Sequence, residues 1–176
     1  MSWIITHTGK RFDILNPTPD MIDIRDIAHS LARICRFNGH TYAHYSVAQH
    51  SILVAQNVPA DLRLEALLHD AAEAYIGDIA SPIKWVIPEL KDVERRIEQV
   101  IEEKFGLTCG NVGAIKVADL RALATEKRDL IAEHPDQWQV LEGVEPFADR
   151  VLPWRMFDAE LSFLTHFTML QLERAA

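Results

Sequence analysis

Five residues of this 176-residue chain are of the types that bind metal ions and move protons. His69 and Asp70 are adjacent, and Glu73 follows one helical turn later. His50 stands nineteen residues before His69, and Asp119 stands forty-nine residues after Asp70. Two imidazoles and two aspartates can close most of the shell of a borderline-to-hard divalent metal ion, which leaves Glu73 to transfer protons. This division of roles predicts a metal-dependent hydrolase rather than a structural metal site.

The suspected ligands interrupt the apolar faces of three predicted helices. His50 lies between Val47 and Val54, and His69 and Asp119 interrupt two further helices in the same way. A single histidine on an apolar face is more often a hydrogen-bonded core residue than a ligand. Because burying an unpaired carboxylate is strongly unfavourable, three such interruptions together favour one shared metal ion.

The elements that would position these residues are mostly helices, so the fold class is all-α. A small β-hairpin is predicted between Trp3 and Leu15. Six helices are predicted: one capped by Asp23 and stopped by Asn38-Gly39, one capped by Ser46 and ended before Pro59, one from Asp61 to Gly77, one from Pro88 to near Gly106, one from about Val112 to Leu130, and one after Pro153. We expect a single domain over 1–176, with the hairpin region at about 1–20, a helical core at about 21–130 and a C-terminal helical region at 131–176.

The bulk composition excludes several classes of protein. A net charge of −8 argues against binding a nucleic acid polymer, which needs a basic surface. No apolar run approaches the roughly 20 residues that span a bilayer, and the N-terminus lacks the features of a signal peptide. Cys35 and Cys109 are too few for a disulfide scaffold, so a cytoplasmic location is expected.

Two stretches of the chain resemble the HD-domain phosphohydrolases, and more narrowly their bacterial 5'-deoxynucleotidase branch. They are Tyr45-Ser46-Val47-Ala48-Gln49-His50-Ser51 and His69-Asp70-Ala71-Ala72-Glu73-Ala74-Tyr75-Ile76-Gly77-Asp78-Ile79. The whole layout, including Ile34-Cys35-Arg36-Phe37-Asn38-Gly39-His40, is similar to YfdR-type proteins carried by phages and prophages. The resemblance covers roughly Asp23 to Asp129 and implies an HD-domain helical bundle. One departure is Gln49, which stands where these nucleotidases usually have Glu.

The resemblance implies that His50, His69, Asp70 and Asp119 are the four metal ligands. No histidine occurs between Asp70 and Asp119, so the extra ligands of two-metal HD enzymes are missing and one divalent metal ion is expected. A mixed nitrogen and oxygen ligand set favours Mn²⁺ or Co²⁺, with Fe²⁺, Zn²⁺ and Mg²⁺ as alternatives.

The same resemblance implies roles for five further residues. Glu73 matches the catalytic carboxylate, and Asp78 matches a second acidic residue beside the nucleotide. Arg36 matches the phosphate-binding arginine, with Phe37 beside it as a substrate-binding residue. Lys84 matches a basic position that could meet phosphate.

Other residues that could contact a ligand have simpler explanations. His40 and His44 lie in a loop next to the expected site and are interpreted as solvated histidines. Trp85, Trp138 and Trp154 are predicted to pack the core rather than to stack on a base.

The predicted substrate is a small nucleotide, with 5'-deoxynucleoside monophosphates favoured. Nearly all the cationic residues near the motifs are Arg33, Arg36 and Lys84, which suits one phosphoryl group better than three. A deoxynucleoside triphosphate triphosphohydrolase is the alternative with the same chemistry, and a non-catalytic nucleotide-sensing module is the alternative of a different class. The resemblance also implies a homodimer.

Overall fold

The all-α class with a small hairpin is confirmed by the computed structural model, which describes residues 2–108 and 112–175. Cys109 lies outside the described residues. Two strands, β1 (Trp3–Ile5) and β2 (Arg11–Asp13), precede the helices α1 (Ile24–Leu31), α2 (Val47–Gln56), α3 (Arg63–Leu67), α4 (Glu73–Ile76), α5 (Ser81–Val86), α6 (Glu89–Phe105), α7 (Val112–Leu130) and α8 (Met156–Ala175). Short 3-10 turns lie at Pro19–Met21, Arg36–Gly39, Ala60–Leu62 and Gln139–Leu141.

The helix α2 forms the centre of the core. Eight of its ten residues are buried, and it packs against α3, α7 and α8. Ser46 caps it as predicted, because its hydroxyl accepts a hydrogen bond from the backbone N–H of Gln49 at 3.2 Å. His50 lies on this helix and is fully buried, so one expected metal ligand is fixed by the core itself.

The side chain of Gln49 explains why an amide stands at this position. Its Nε2 donates to the carbonyl of Leu152 at 2.8 Å, and its Oε1 accepts from the backbone N–H of Trp154 at 2.9 Å. A glutamate could accept but could not donate. The amide therefore fastens the segment before α8 to the central helix.

The predicted helix from Asp61 to Gly77 is divided in the structure. The helix α3 ends at Leu67, residues 68–72 form turns, and α4 begins at Glu73. On a regular helix His69 and Asp70 would point about 100° apart. In this break both residues approach His50: Asp70 Oδ2 lies 3.4 Å from His50 Nε2, and the ring centroids of His69 and His50 are 5.3 Å apart.

The first helix is shorter than predicted. It ends at Leu31 rather than near Asn38-Gly39, and Cys35 then pairs with Ser46 in an antiparallel bridge. Arg36 N–H donates to the Tyr45 carbonyl at 2.9 Å within this pairing. The bridge therefore places Arg36 beside the start of α2, close to His50. The short helix α5 was not predicted.

The hairpin supports the helix that carries Glu73. Ile4 pairs with Phe12 across the two strands. The Phe12 ring is fully buried and stacks on Tyr75 of α4, with 3.9 Å between the ring centroids. The hairpin is thus part of the packing behind the site.

The N-cap of α1 gives a test of this fold that depends on pH. Asp23 accepts a hydrogen bond from Arg25 N–H at 3.0 Å and pairs with the Arg25 guanidinium at 2.8 Å. The hydrogen bonds from Arg25 lower the pKa of Asp23 from its usual 3.8 to about 2, against the opposing effect of burial. We expect Asp23→Ala to lower the free energy of unfolding at neutral pH by about 1 kcal/mol.

A depressed carboxyl pKa stabilises the fold above its unfolded-state value and stops doing so as the pH falls through the folded value. The difference in the free energy of unfolding between wild type and Asp23→Ala should therefore become smaller as the pH falls from about 4 toward 2. Denaturant titration measures this free energy at each pH. Asp23→Asn, which keeps the capping oxygen, is the matched control. A difference that stays constant over this range would show that the charge plays no part.

Candidate functional site

The expected ligands converge from three separate elements. His50 comes from α2, His69 and Asp70 from the turn between α3 and α4, and Asp119 from α7. His50, His69 and Asp119 each offer one ligand atom, and these three atoms lie within 4.8 Å of one another. Asp70 Oδ2 lies 3.4 Å from His50 Nε2 and 3.2 Å from His69 Nε2. Three of the four predicted ligands therefore form one group, and Asp70 lies beside its two imidazoles.

The hydrogen bonds of the two imidazoles leave their Nε2 atoms as acceptors. His69 Nδ1 lies 2.7 Å from the Ala66 carbonyl, which can only accept, so Nδ1 carries the proton. His50 Nδ1 lies 2.6 Å from Glu126 Oε1 in the same way. Both Nε2 atoms are buried and form no hydrogen bond with any described residue.

Those lone pairs face carboxylate oxygens. His50 Nε2 lies 3.3 Å from Asp119 Oδ1, besides its approach to Asp70. Acceptors facing acceptors repel unless a positive charge lies between them. The arrangement fits a divalent cation held by two neutral imidazoles and two carboxylates, with the second ring nitrogens fixed by hydrogen bonds as is usual for metal-binding histidines.

The pKa values of the expected ligands also indicate a site for a cation. Burial and the Arg36 charge lower the pKa of His50, but the Glu126 and Asp119 carboxylates outweigh them and raise it to about 9, so without a metal ion its Nε2 takes up a proton at neutral pH. Burial alone would raise the pKa values of Asp70 and Asp119, yet the neighbouring imidazoles hold both well below the usual range. The site therefore attracts positive charge to the point between these groups.

Glu126 is a central residue that the sequence-based prediction missed. It is fully buried on α7, and its carboxylate binds His50 through Oε1 and Arg36 through Oε2. Burial would raise the pKa of Glu126, but Arg36 and His50 lower it. A signal was available, because Glu126 follows Asp119 by two helical turns and so lies on the same inward face.

Arg36 is held by Glu126 rather than left free. Its Nε and Nη2 atoms each lie 3.0 Å from Glu126 Oε2, and Nη1 lies 3.8 Å from Asp70 Oδ2. Burial opposes its charge, but the surrounding carboxylates raise its pKa overall. Only the edge with Nη1 faces the ligand cluster, which defines where an anion could meet this guanidinium.

The backbone next to Arg36 is strained. Phe37 and Asn38 have φ values of 55° and 52°, in the left-handed region, and Gly39 follows with φ 79°. For a residue with a β-carbon this conformation costs on the order of 1 kcal/mol. The strain holds the Phe37 ring against Arg36, with 5.3 Å between the guanidinium carbon and the ring centroid.

Two carboxyl groups near the ligands have raised pKa values. Burial, with the Asp70 and Asp78 charges, raises the pKa of Glu73 to about 10. Burial also raises the pKa of Asp78, and Arg36 partly offsets this. Gly77 lies between them with φ 83° at the end of α4, a conformation that glycine adopts without a steric penalty. The turn there brings Asp78 back toward the cluster.

Lys84 is already paired with a carboxylate. Its Nζ donates to Glu94 Oε1 at 2.6 Å, across α5 and α6. Burial lowers the pKa of Lys84, but Glu94, Glu73 and Asp70 raise it overall. Its ammonium thus contributes positive charge to the site without being free.

The prediction that the tryptophans pack the core is wrong for Trp85 and Trp154, which are 69% and 39% exposed. Trp138 is partly buried, and it belongs to neither of the apolar clusters found among the described residues. Its ring instead contacts Phe37, with 6.1 Å between the ring centroids.

Comparisons with known proteins give the same classification as the motifs. Residues 27–109 match the model of a family described as 5'-deoxynucleotidase YfbR-like. The uncharacterized protein YfdR of Escherichia coli K12 is 49% identical over 144 residues, which cover 82% of this chain and 81% of that protein. An uncharacterized protein of Rhodobacter capsulatus is 38% identical over 161 residues, 85% of this chain and 79% of its own length. None of the described helices is long and apolar enough to cross a membrane.

The role of Glu126 can be tested through metal affinity. We expect Glu126→Gln to weaken metal binding by about 10- to 100-fold, because an amide no longer offers His50 a charged partner. Competition with a chelator of known affinity measures this directly.

The matched control for this experiment is Glu160→Gln. Glu160 likewise binds an arginine and a histidine, Arg33 at 2.6 Å and His29 at 3.3 Å, but outside the ligand cluster. The control should retain wild-type metal affinity. Equal metal affinities for wild type and Glu126→Gln would contradict the role of Glu126 in supporting His50 as a metal ligand.

Proposed function

This chain belongs to the 5'-deoxynucleotidase YfbR-like family of the HD superfamily, and we propose that it is a metal-dependent 5'-deoxynucleotidase. Its substrates would be 5'-deoxynucleoside monophosphates, and its products a deoxynucleoside and inorganic phosphate. The observation that carries the proposal is the pair of buried Nε2 lone pairs facing the carboxylates of Asp70 and Asp119.

The four ligands would hold one divalent cation. His50 and His69 supply nitrogen, and Asp70 and Asp119 supply oxygen. This set favours Mn²⁺ or Co²⁺ without excluding Fe²⁺, Zn²⁺ or Mg²⁺. When bound, the metal ion supplies Lewis acidity toward a phosphoryl oxygen and lowers the pKa of a water molecule.

Glu73 and Asp78 are suited to proton transfer. Hydrolysis of a phosphate ester needs a group that accepts a proton from the attacking water and one that donates a proton to the leaving 5'-oxygen. Both carboxyl groups have raised pKa values beside the ligand cluster, so Glu73 holds a proton at neutral pH that it can donate, and the affinity of Asp78 for a proton is increased. Glu73 Oε2 is buried and forms no hydrogen bond with a described residue, which leaves it available to the reacting groups.

The charges around the site favour a single phosphoryl group. Arg36 and Lys84 are each paired with a glutamate, and Arg33 is paired with Glu160 at 2.6 Å. A triphosphate would bring several more negative charges to a chain with a net charge of −8. The metal ion and the Nη1 edge of Arg36 together suit one phosphoryl group.

Two alternative functions remain for the test. A triphosphohydrolase would use the same ligands and release whole triphosphate from a deoxynucleoside triphosphate. A nucleotide-sensing module would bind without catalysis, and the retained Glu73 and Asp78 argue against it. A cytoplasmic homodimer is also proposed, on the resemblance alone.

Removing the proton-transfer group should separate binding from catalysis. We expect Glu73→Gln to keep the metal ion while kcat falls by about 10²- to 10⁴-fold, because the amide cannot exchange a proton. Elemental analysis and steady-state kinetics measure the two effects. Glu103→Gln, at an exposed position of α6, is the control and should behave as wild type. Loss of metal from Glu73→Gln would make Glu73 a ligand, and an unchanged rate would remove it from the mechanism.

Chromatography of the products distinguishes the candidate functions. Wild-type protein with Mn²⁺ or Co²⁺ should release inorganic phosphate from deoxynucleoside monophosphates, and triphosphates should be poorer substrates. Chelation should abolish the activity, and Asp119→Ala should lack it, because a ligand is missing. Intact tripolyphosphate from triphosphates, with monophosphates untouched, would support the triphosphohydrolase. Binding of nucleotide without any product would support the sensing module.

A further inference from the structure

Trp138 is a large aromatic residue whose position the core does not explain. It lies in the segment after α7, directly before the 3-10 turn Gln139–Leu141 that packs on α7. Its indole is partly buried and lies outside both apolar clusters of the described residues. A side chain of this size normally contributes to a core or to a binding surface.

A row of contacts connects this ring to the metal ligands. Arg36 Nη1 lies 3.8 Å from Asp70, and the Arg36 guanidinium lies over the Phe37 ring at 5.3 Å. The Phe37 ring in turn lies 6.1 Å from the Trp138 ring, at an angle of 41°. The row thus leads from a charged group beside the ligands to two neighbouring aromatic rings.

The far end of the row carries a positive charge. Lys127 Nζ lies 5.5 Å from the centroid of the Trp138 ring. Lys127 takes part in none of the ion pairs formed by the described residues, in contrast to Arg33, Arg36 and Lys84. This ammonium is available both to hold the indole by a cation–π contact and to meet a polar edge of a bound ligand.

We propose that Trp138, together with Phe37, forms the surface on which the nucleobase of the substrate stacks. The inference rests on the proposed function and extends it to a specificity-determining residue outside the segment that matches the family model, residues 27–109. A 5'-nucleotide carries phosphate, sugar and base in that order. With the phosphoryl group at the ligand cluster and Arg36, the base lies toward the two aromatic rings.

The strained backbone at Phe37 supports a role for the Phe37 and Trp138 rings in binding the substrate. Two consecutive non-glycine residues with positive φ are rare, and such strain is concentrated at ligand-binding positions. Here the strain holds a phenyl ring beside Arg36 and Trp138. Stacking on aromatic rings recognises any base through its π face, so the surface predicts a preference for nucleotides over other phosphate esters rather than for one base.

Kinetics with and without a base test the proposal. In the metal-loaded protein, we expect Trp138→Ala to raise the KM for deoxynucleoside monophosphates by about 5- to 100-fold, the usual effect of losing one stacking ring. The KM for deoxyribose 5-phosphate, which has no base, should not change. Trp3→Ala is the matched control, because Trp3 forms a comparable cation–π pair with Arg11 at 5.0 Å in the hairpin.

Tryptophan fluorescence gives a second readout that does not depend on turnover. Binding of a deoxynucleoside monophosphate should quench the fluorescence of the metal-loaded wild type, and deoxyribose 5-phosphate should not. Trp138→Phe keeps an aromatic ring and should lose most of this quenching while retaining near wild-type KM. It also replaces the alanine variant if that variant does not fold.

The outcomes separate the two proposals. If wild type releases phosphate from no monophosphate, the proposed nucleotidase activity fails, and the quenching experiment alone decides whether a base contacts Trp138. An equal rise in KM for both substrates, an unchanged KM for the nucleotides, or quenching that persists in Trp138→Phe would each overturn the role of Trp138.

Discussion

The carboxylate of Glu126 is the group on which the arrangement of the site depends. A fully buried charge is tolerated only when it is paired and hydrogen-bonded. Glu126 meets this condition by binding an imidazole with one oxygen and a guanidinium with the other. It therefore fixes the tautomer of His50, a proposed metal ligand, and the orientation of Arg36 at the same time. It also links α7 to α2 and to the turn that follows the first helix.

This pairing has a consequence for how charge is distributed. Two acidic side chains near the ligands, those of Glu126 and Glu94, neutralise the cations Arg36 and Lys84. The carboxylates of Asp70 and Asp119 face the Nε2 atoms of the imidazoles, and Asp119 also pairs with Lys116 at 2.8 Å. The protein thus holds its own positive groups in ion pairs and leaves the centre of the site negative, where a divalent cation is most strongly attracted.

Features of the fold and of the site could be predicted from the sequence where they depend on residues that are close together in the chain. The helical periodicity and the Asp23 and Ser46 caps are local signals, and the structure follows them. Convergence of the predicted ligands could be anticipated because each one interrupts an apolar face that must turn inward. The break at residues 68–72 could not be predicted, because the helical pattern of apolar residues continues through it. The spacing of Glu126 from Asp119 indicates which face it shares, but its partners His50 and Arg36 lie 76 and 90 residues away in sequence. Trp138 and Phe37 are also far apart in sequence, and no short-range pattern reports such pairs.

The irregular segment between α7 and α8 differs from an ordinary connecting loop. Its backbone is bound to α7 through Thr125, which accepts from Phe147 N–H, and through Asp129, which accepts from Val151 N–H. It is bound to α2 through the amide of Gln49, next to His50. Ordinary loops tolerate insertions and open independently of the elements they connect. This segment is hydrogen-bonded to both helices that carry His50 and Asp119, so its opening breaks contacts with each of them, and an insertion within it would disturb the packing around the site.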